Sequence, residues 1–114
     1  MAIQDSLSSL ARTFVFRDEA AVCRYLDMYP FLVPLLWEVD GKVRQCFDVA
    51  SPLILEVVKD LESGSEEDDE LFAMIPTTLP PMDARRKLRH LDENWWLEAS
   101  RRGQHRMSIN IRYS

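Results

Sequence analysis

Met107-Ser108-Ile109-Asn110-Ile111-Arg112-Tyr113 alternates apolar and polar side chains without a break. Successive side chains of a strand point to opposite faces, so the pattern buries Met107, Ile109, Ile111 and Tyr113 and leaves the other face wet. Such a strand belongs to a sheet covered by helices on one side. The preceding segments supply those helices, and the class is α+β.

Working backwards, Pro80-Pro81 opens a helix over roughly 81–93, proline being suited to the first helical turn. Its spacing puts Ala84, Leu88, Leu91 and Trp95 on one face and Arg85, Arg86 and Arg89 on the other. Before it, Leu53, Leu55 and Val57 alternate with Ile54, Glu56 and Val58, and Leu71 to Ile75 gives a second strand stopped by Pro76. The run Glu62-Ser63-Gly64-Ser65-Glu66-Glu67-Asp68-Asp69-Glu70 has no apolar surface to bury and reads as the solvated tip of a β-hairpin.

Towards the N-terminus the period becomes helical. Leu32, Leu36, Val39, Val43 and Phe47 recur every three or four residues, with Pro34 in the first turn and Gly41 as a local weakness. Val22, Leu26 and Tyr29 mark a helix over roughly 18–29 that Pro30 ends, and Leu7, Leu10, Ala11 and Phe14 mark a short one over 4–14. The order is a helical hairpin followed by β-β-α-β. A crossover through the third helix predicts a three-stranded antiparallel sheet of order 2-1-3, with the helices packed on one face. The whole chain, 1–114, reads as one domain, with 1–17 a peripheral segment.

Composition narrows the functions. Hydrophobic residues make up 46% and charged residues 29%, which is globular rather than disordered. The first residues lack the basic and apolar regions of a secretory signal, and the mostly apolar run from Met28 to Trp37 is too short for a bilayer, so a cytoplasmic protein is expected. Cys23 and Cys46 then read as reduced thiols acting as small hydrophobes. Together with His90 and His105 they show no metal-ligand spacing, and the acidic run lacks the alternating ligand ladder of a calcium loop. No metal or cofactor is expected. Gly41, Gly64 and Gly103 are too scattered for a phosphate cradle, no nucleophile stands near a base, and adjacent Asp92 and Glu93 diverge by about 100° on a helix. A non-enzyme is expected, with no catalytic residue.

Charge is polarised. Residues 1–83 hold 6 Lys/Arg against 16 Asp/Glu, a net of −10, whereas residues 84–114 hold 8 against 3, a net of +5. Either the basic end meets an anionic partner or the two ends attract each other in the fold.

Asp92-Glu93-Asn94-Trp95-Trp96-Leu97 follows the basic helix, and two indoles cannot both point inward from a regular helix. Helical spacing sends Trp95 into the core and leaves Trp96 for the surface. The segment resembles one in a family of small bacterial proteins, frequent in cyanobacteria, that carry an acidic-x-Trp-Trp-Leu motif, here Glu93-x-Trp95-Trp96-Leu97. The similarity covers roughly residues 29–113, including the helix start Tyr29-Pro30-Phe31-Leu32. It implies a small α+β fold, no assigned activity, and association with a second small protein in the manner of toxin–antitoxin pairs.

The expected function is therefore protein–protein interaction or regulation, through Trp96, Arg101 and Arg102, with self-association or another protein as partner. Phe14 and Phe16, flanking Val15, form a second expected apolar contact. The alternative is nucleic-acid binding through Arg85, Arg86, Arg89, Arg101 and Arg102, although no helix-turn-helix, zinc or RNA-recognition signature accompanies them.

Overall fold

The computed structural model describes residues 2–47, 51–59, 62 and 69–113. It is an α+β structure with the order α1 (Ala2–Thr13), β1 (Val15–Arg17), α2 (Glu19–Met28), α3 (Leu32–Phe47), β2 (Ile54–Val58), β3 (Glu70–Thr77), α4 (Pro81–Leu91), a π-helical turn (Asp92–Trp96), α5 (Leu97–Ala99) and β4 (Met107–Tyr113). Most of the expected tip of the β2–β3 hairpin, 63–68, lies outside the described residues.

The helical segments follow their sequence patterns closely. Asp18 occupies a left-handed conformation, φ 56°, that a short polar side chain tolerates, and its carboxylate accepts from Ala21 N at 3.3 Å to cap α2. Leu32, Leu36, Val39 and Val43 of α3 are fully buried and Phe47 nearly so. Each such side chain contributes about 1.5–3 kcal/mol by leaving water. On α2 the buried stripe is Val22, Tyr25 and Leu26, with Tyr29 half-buried beside it.

The sheet departs from expectation. It has four strands in the order β1-β2-β3-β4, with β1 parallel to β2, β2 antiparallel to β3, and β3 parallel to β4. The expected three-stranded antiparallel 2-1-3 sheet is thus incorrect. The reason lies in Phe14-Val15-Phe16: Val15 to Arg17 pairs with Ile54 to Glu56 and takes the edge of β2 that the last strand was expected to fill. The last strand then joins β3 through the α4 crossover. Strand β3 also runs on through Pro76 to Thr77. Pro76 faces the place where the β2 ladder has already ended, at Ile54 opposite Met74, so its missing N–H removes no bond there.

Alternation along β3 is complete, with Leu71, Ala73, Ile75 and Thr77 buried and their neighbours half-buried. Phe16, Leu55, Met107 and Ile109 share that inner face and join one core cluster with the helices. Two features close one end of it, beside Arg106. The Tyr25 hydroxyl proton is shared between the carbonyls of Arg106 at 2.7 Å and Asp69 at 3.1 Å. The Arg106 guanidinium lies 4.6 Å from the centre of the Tyr29 ring.

Candidate functional site

The tryptophan pair sits in the π-helical turn, where Leu97 N–H bonds to the Asp92 carbonyl, five residues back. This widening changes which indole goes inside. In an α-helix Trp95 would continue the face of Leu91, four residues before it; in the wider turn the residue five further on does so. Trp96 is accordingly 7% exposed and packed in the core with Leu91 and Ala99, whereas Trp95 is half-buried and lines a surface groove. The expectation of Trp96 as an exposed contact is corrected by this one-residue shift. The two rings stay 5.7 Å apart, tilted by 44°. Asn94 supports the turn, its Nδ2 donating to the His90 carbonyl at 2.8 Å and lying 3.1 Å from His90 Nδ1.

The expected basic residues are dispersed. Arg85 and Arg89 are exposed on α4. Arg86 lies 3.6 Å from Asp83 in the same helix, and Arg101 is exposed in the turn after α5. Arg102 reaches across to α3, where Nη1 and Nη2 donate to the Glu38 carboxylate at 2.6 and 3.0 Å. Hydrogen bonding to Arg102 holds the Glu38 carboxyl below the ordinary carboxylate range. Charge attraction within the fold therefore accounts for part of the basic segment.

Between α3 and α4 runs an open groove, lined in its largest part by Gln45, Cys46, Arg86, Lys87 and His90, and continued by Lys42, Asn94 and Trp95. Its walls are joined by Lys87 Nζ, which donates to the Cys46 carbonyl at 3.1 Å near the C-terminal end of α3, where a cation suits the helix dipole. Cys46 Sγ lies 3.4 Å from the Lys87 carbonyl. Burial pushes the Cys46 thiol up, against the opposing Lys87 charge, which disfavours a reactive thiolate.

Phe14 and Phe16, the second expected contact, are not a surface patch. Phe14 is 2% exposed and tilts against Trp37 at 6.1 Å, and Phe16 packs on the core from β1. The residue between them points the other way: Val15 is 45% exposed.

Val15 belongs to a surface that the sequence reading did not single out. Cross-strand register aligns it with Ile54, Met74 and Asn110, and aligns Arg17 with Glu56, Phe72 and Ser108. Val58 and Pro76 lie on the same side. All of these apolar residues are half-buried or exposed, and none belongs to the core cluster or packs against it. No helix among the described residues covers this face. Its charged rim is mixed: Arg17 Nη1 is 3.7 Å from Glu56 Oε1, and Glu70 Oε2 accepts from Ser108 Oγ at 2.8 Å. The available signal was the apolar character of Ile54, Val58 and Phe72, which lie between the inner-face residues of β2 and β3.

Among the described residues no three His, Cys, Asp or Glu side chains converge as metal ligands, and no helix is long and apolar enough to cross a membrane. No family model, no curated protein and no solved structure matches the chain.

Proposed function

We propose that the protein is a non-catalytic binding module that engages another protein through the helix-free face of its sheet. The observation that carries this reading is the group Val15, Ile54, Phe72 and Met74, apolar side chains on one continuous surface that the core does not use. Apolar area left in water is unfavourable by roughly 25 cal/mol per Å², and a partner recovers that energy. The rim of both charge signs suits a protein surface better than a polyanion.

Met74→Lys tests it, since the side chain stands on the surface and the core is unchanged. Tagged chain recovered at native levels from its source cells is expected to hold a nuclease-resistant protein that the variant loses. Retention of the same protein by Met74→Lys contradicts the reading.

A second reading is supported by the groove between α3 and α4, where Lys42, Arg86, Lys87 and His90 line the wall and no carboxylate among the described residues does. It fits a phosphate-bearing ligand, with Trp95 offering a ring at one end. Nucleic acid recovered by the same purification, released by nuclease and lost steeply as salt rises, is the outcome that favours it.

A further inference from the structure

The two edges of the sheet are unlike. At one side β1 has three residues, too short to template another strand. At the other, β4 runs for seven residues in unbroken register with β3, contains no proline or bulge, and has Arg112 as its one charged side chain. Prolines, bulges and charged side chains are the usual devices that keep an edge from pairing with another chain. Leu71 N donates to the Arg106 carbonyl at 3.0 Å, which sets the phase of the ladder. Ser108, Asn110 and Arg112 then turn their backbone groups towards β3, and Met107, Ile109, Ile111 and Tyr113 turn theirs outward.

We propose that β4 pairs antiparallel with β4 of a second copy of this chain, about a two-fold axis at Asn110, joining the two sheets into one. The surface is the sheet edge rather than its helix-free face, so the pairing stands apart from the protein-binding reading above. The register follows from the residues. With Asn110 opposite Asn110, Ile109 meets Ile111 of the second copy and Met107 meets Tyr113, so half-buried Ile111 and 46% exposed Tyr113 both gain apolar cover. These pairs are the outward-facing residues, so the backbone phase is satisfied, with about eight interchain hydrogen bonds.

Charge agrees with the same register. Ser108 meets Arg112 of the second copy, and the Glu70 carboxylate already stands on Ser108 at 2.8 Å. Within one chain Glu70 and Arg112 lie about 20 Å apart along the parallel strands, and Arg112 makes no ion pair among the described residues. One local bond is exchanged on pairing. Asn110 Oδ1 accepts from Ile111 N at 2.9 Å, and that N–H passes to the carbonyl of Ile109 of the second copy.

Sedimentation equilibrium of the full chain tests the proposal. The wild type is expected at twice 13.3 kDa. Glu70→Arg and Arg112→Glu are each expected to weaken association roughly tenfold or more, and the double reversal to restore it. Ile111→Pro, which removes an outward N–H and leaves the β3 ladder intact, is expected to be monomeric with an unchanged far-ultraviolet spectrum. A wild type that stays monomeric to about 1 mM, or a dimer that both single reversals leave intact, overturns the proposal. Met74→Lys separates the two claims, because it is expected to keep the dimer and lose the captured protein. A monomeric wild type whose captured protein is lost in Met74→Lys overturns the pairing and leaves the binding face standing. A charge-reversal-sensitive dimer whose captured protein survives Met74→Lys does the opposite.

Discussion

Glu38 and Arg102, 64 positions apart, meet as a two-pronged ion pair that ties the turn after α5 to the exposed side of α3. It links the acidic and basic parts of the chain. Gly103, next to Arg102, lies so close to α3 that an added Cβ would stand 3.2 Å from Leu35 Cδ2. The apolar contact and the ion pair thus position the same turn.

Glu38 titrates below the ordinary carboxylate range because Arg102 hydrogen-bonds its charged form. A depressed folded-state pKa contributes stability above the unfolded carboxyl value, and that contribution is lost as pH falls through the folded one. Both side chains are exposed, so salt screens the effect and its size is small. Carboxyl-resolved NMR titration is expected to show a low Glu38 pKa that returns to the ordinary range in Arg102→Gln.

The Tyr25 phenol is pushed up to about 12, chiefly by burial. The unfolded chain releases this proton near pH 10 and the folded chain later, so the contribution is complete below pH 10 and is lost as pH rises towards 12. Urea melts from pH 8 to 11.5 are expected to show a steeper fall for the wild type than for Tyr25→Phe. At pH 7 the variant is expected to be less stable by about 1–2 kcal/mol, because two carbonyls lose their donor.

The two indoles differ in consequence. Trp96→Ala is expected to cost about 3–5 kcal/mol, the range for emptying a large core site. Trp95→Ala, at the half-buried groove, is expected to cost about 1–2 kcal/mol, since less of the ring leaves water. Denaturant midpoints for the two variants measure the difference, and an equal loss would contradict the inward turn of Trp96.

Two glycines are expected to respond with opposite signs. Gly41 is exposed within α3 and a Cβ there meets nothing within 4 Å, so Gly41→Ala gains about 0.5–1 kcal/mol of helix propensity. Gly103→Ala must displace Leu35 and crowds the Ser100 carbonyl at 3.3 Å, and is expected to cost about 1 kcal/mol or more. Thermal melts of both variants test the pair.

The helices and the inner faces of the strands were legible because their burial follows a period. The α3 stripe was read except for Leu35, and the boundaries of β4 were met at Met107 and Tyr113, although Tyr113, expected in the core, is exposed. Strand order was not legible, because it turned on three residues, Val15 to Arg17, too few to show alternation. The inversion of Trp95 and Trp96 was hidden for another reason: a π-turn shifts the phase by one residue and has no compositional mark here. The surface was read from charge, which drew attention to arginines that the fold spreads across several elements. The helix-free sheet face was passed over because its apolar residues, Val15, Ile54, Phe72 and Met74, come from three separate strands that only the sheet order brings together.

On the proposed function, the face carrying Phe72 and Met74 is the surface that meets a partner. The most direct measurement places a photo-crosslinking residue at Phe72, and in parallel at Arg85, and irradiates cells expressing either variant at native levels. A discrete protein adduct is expected from position 72 and none from position 85. Adducts from position 85 with none from position 72 would contradict the proposed function and move the binding surface to α4.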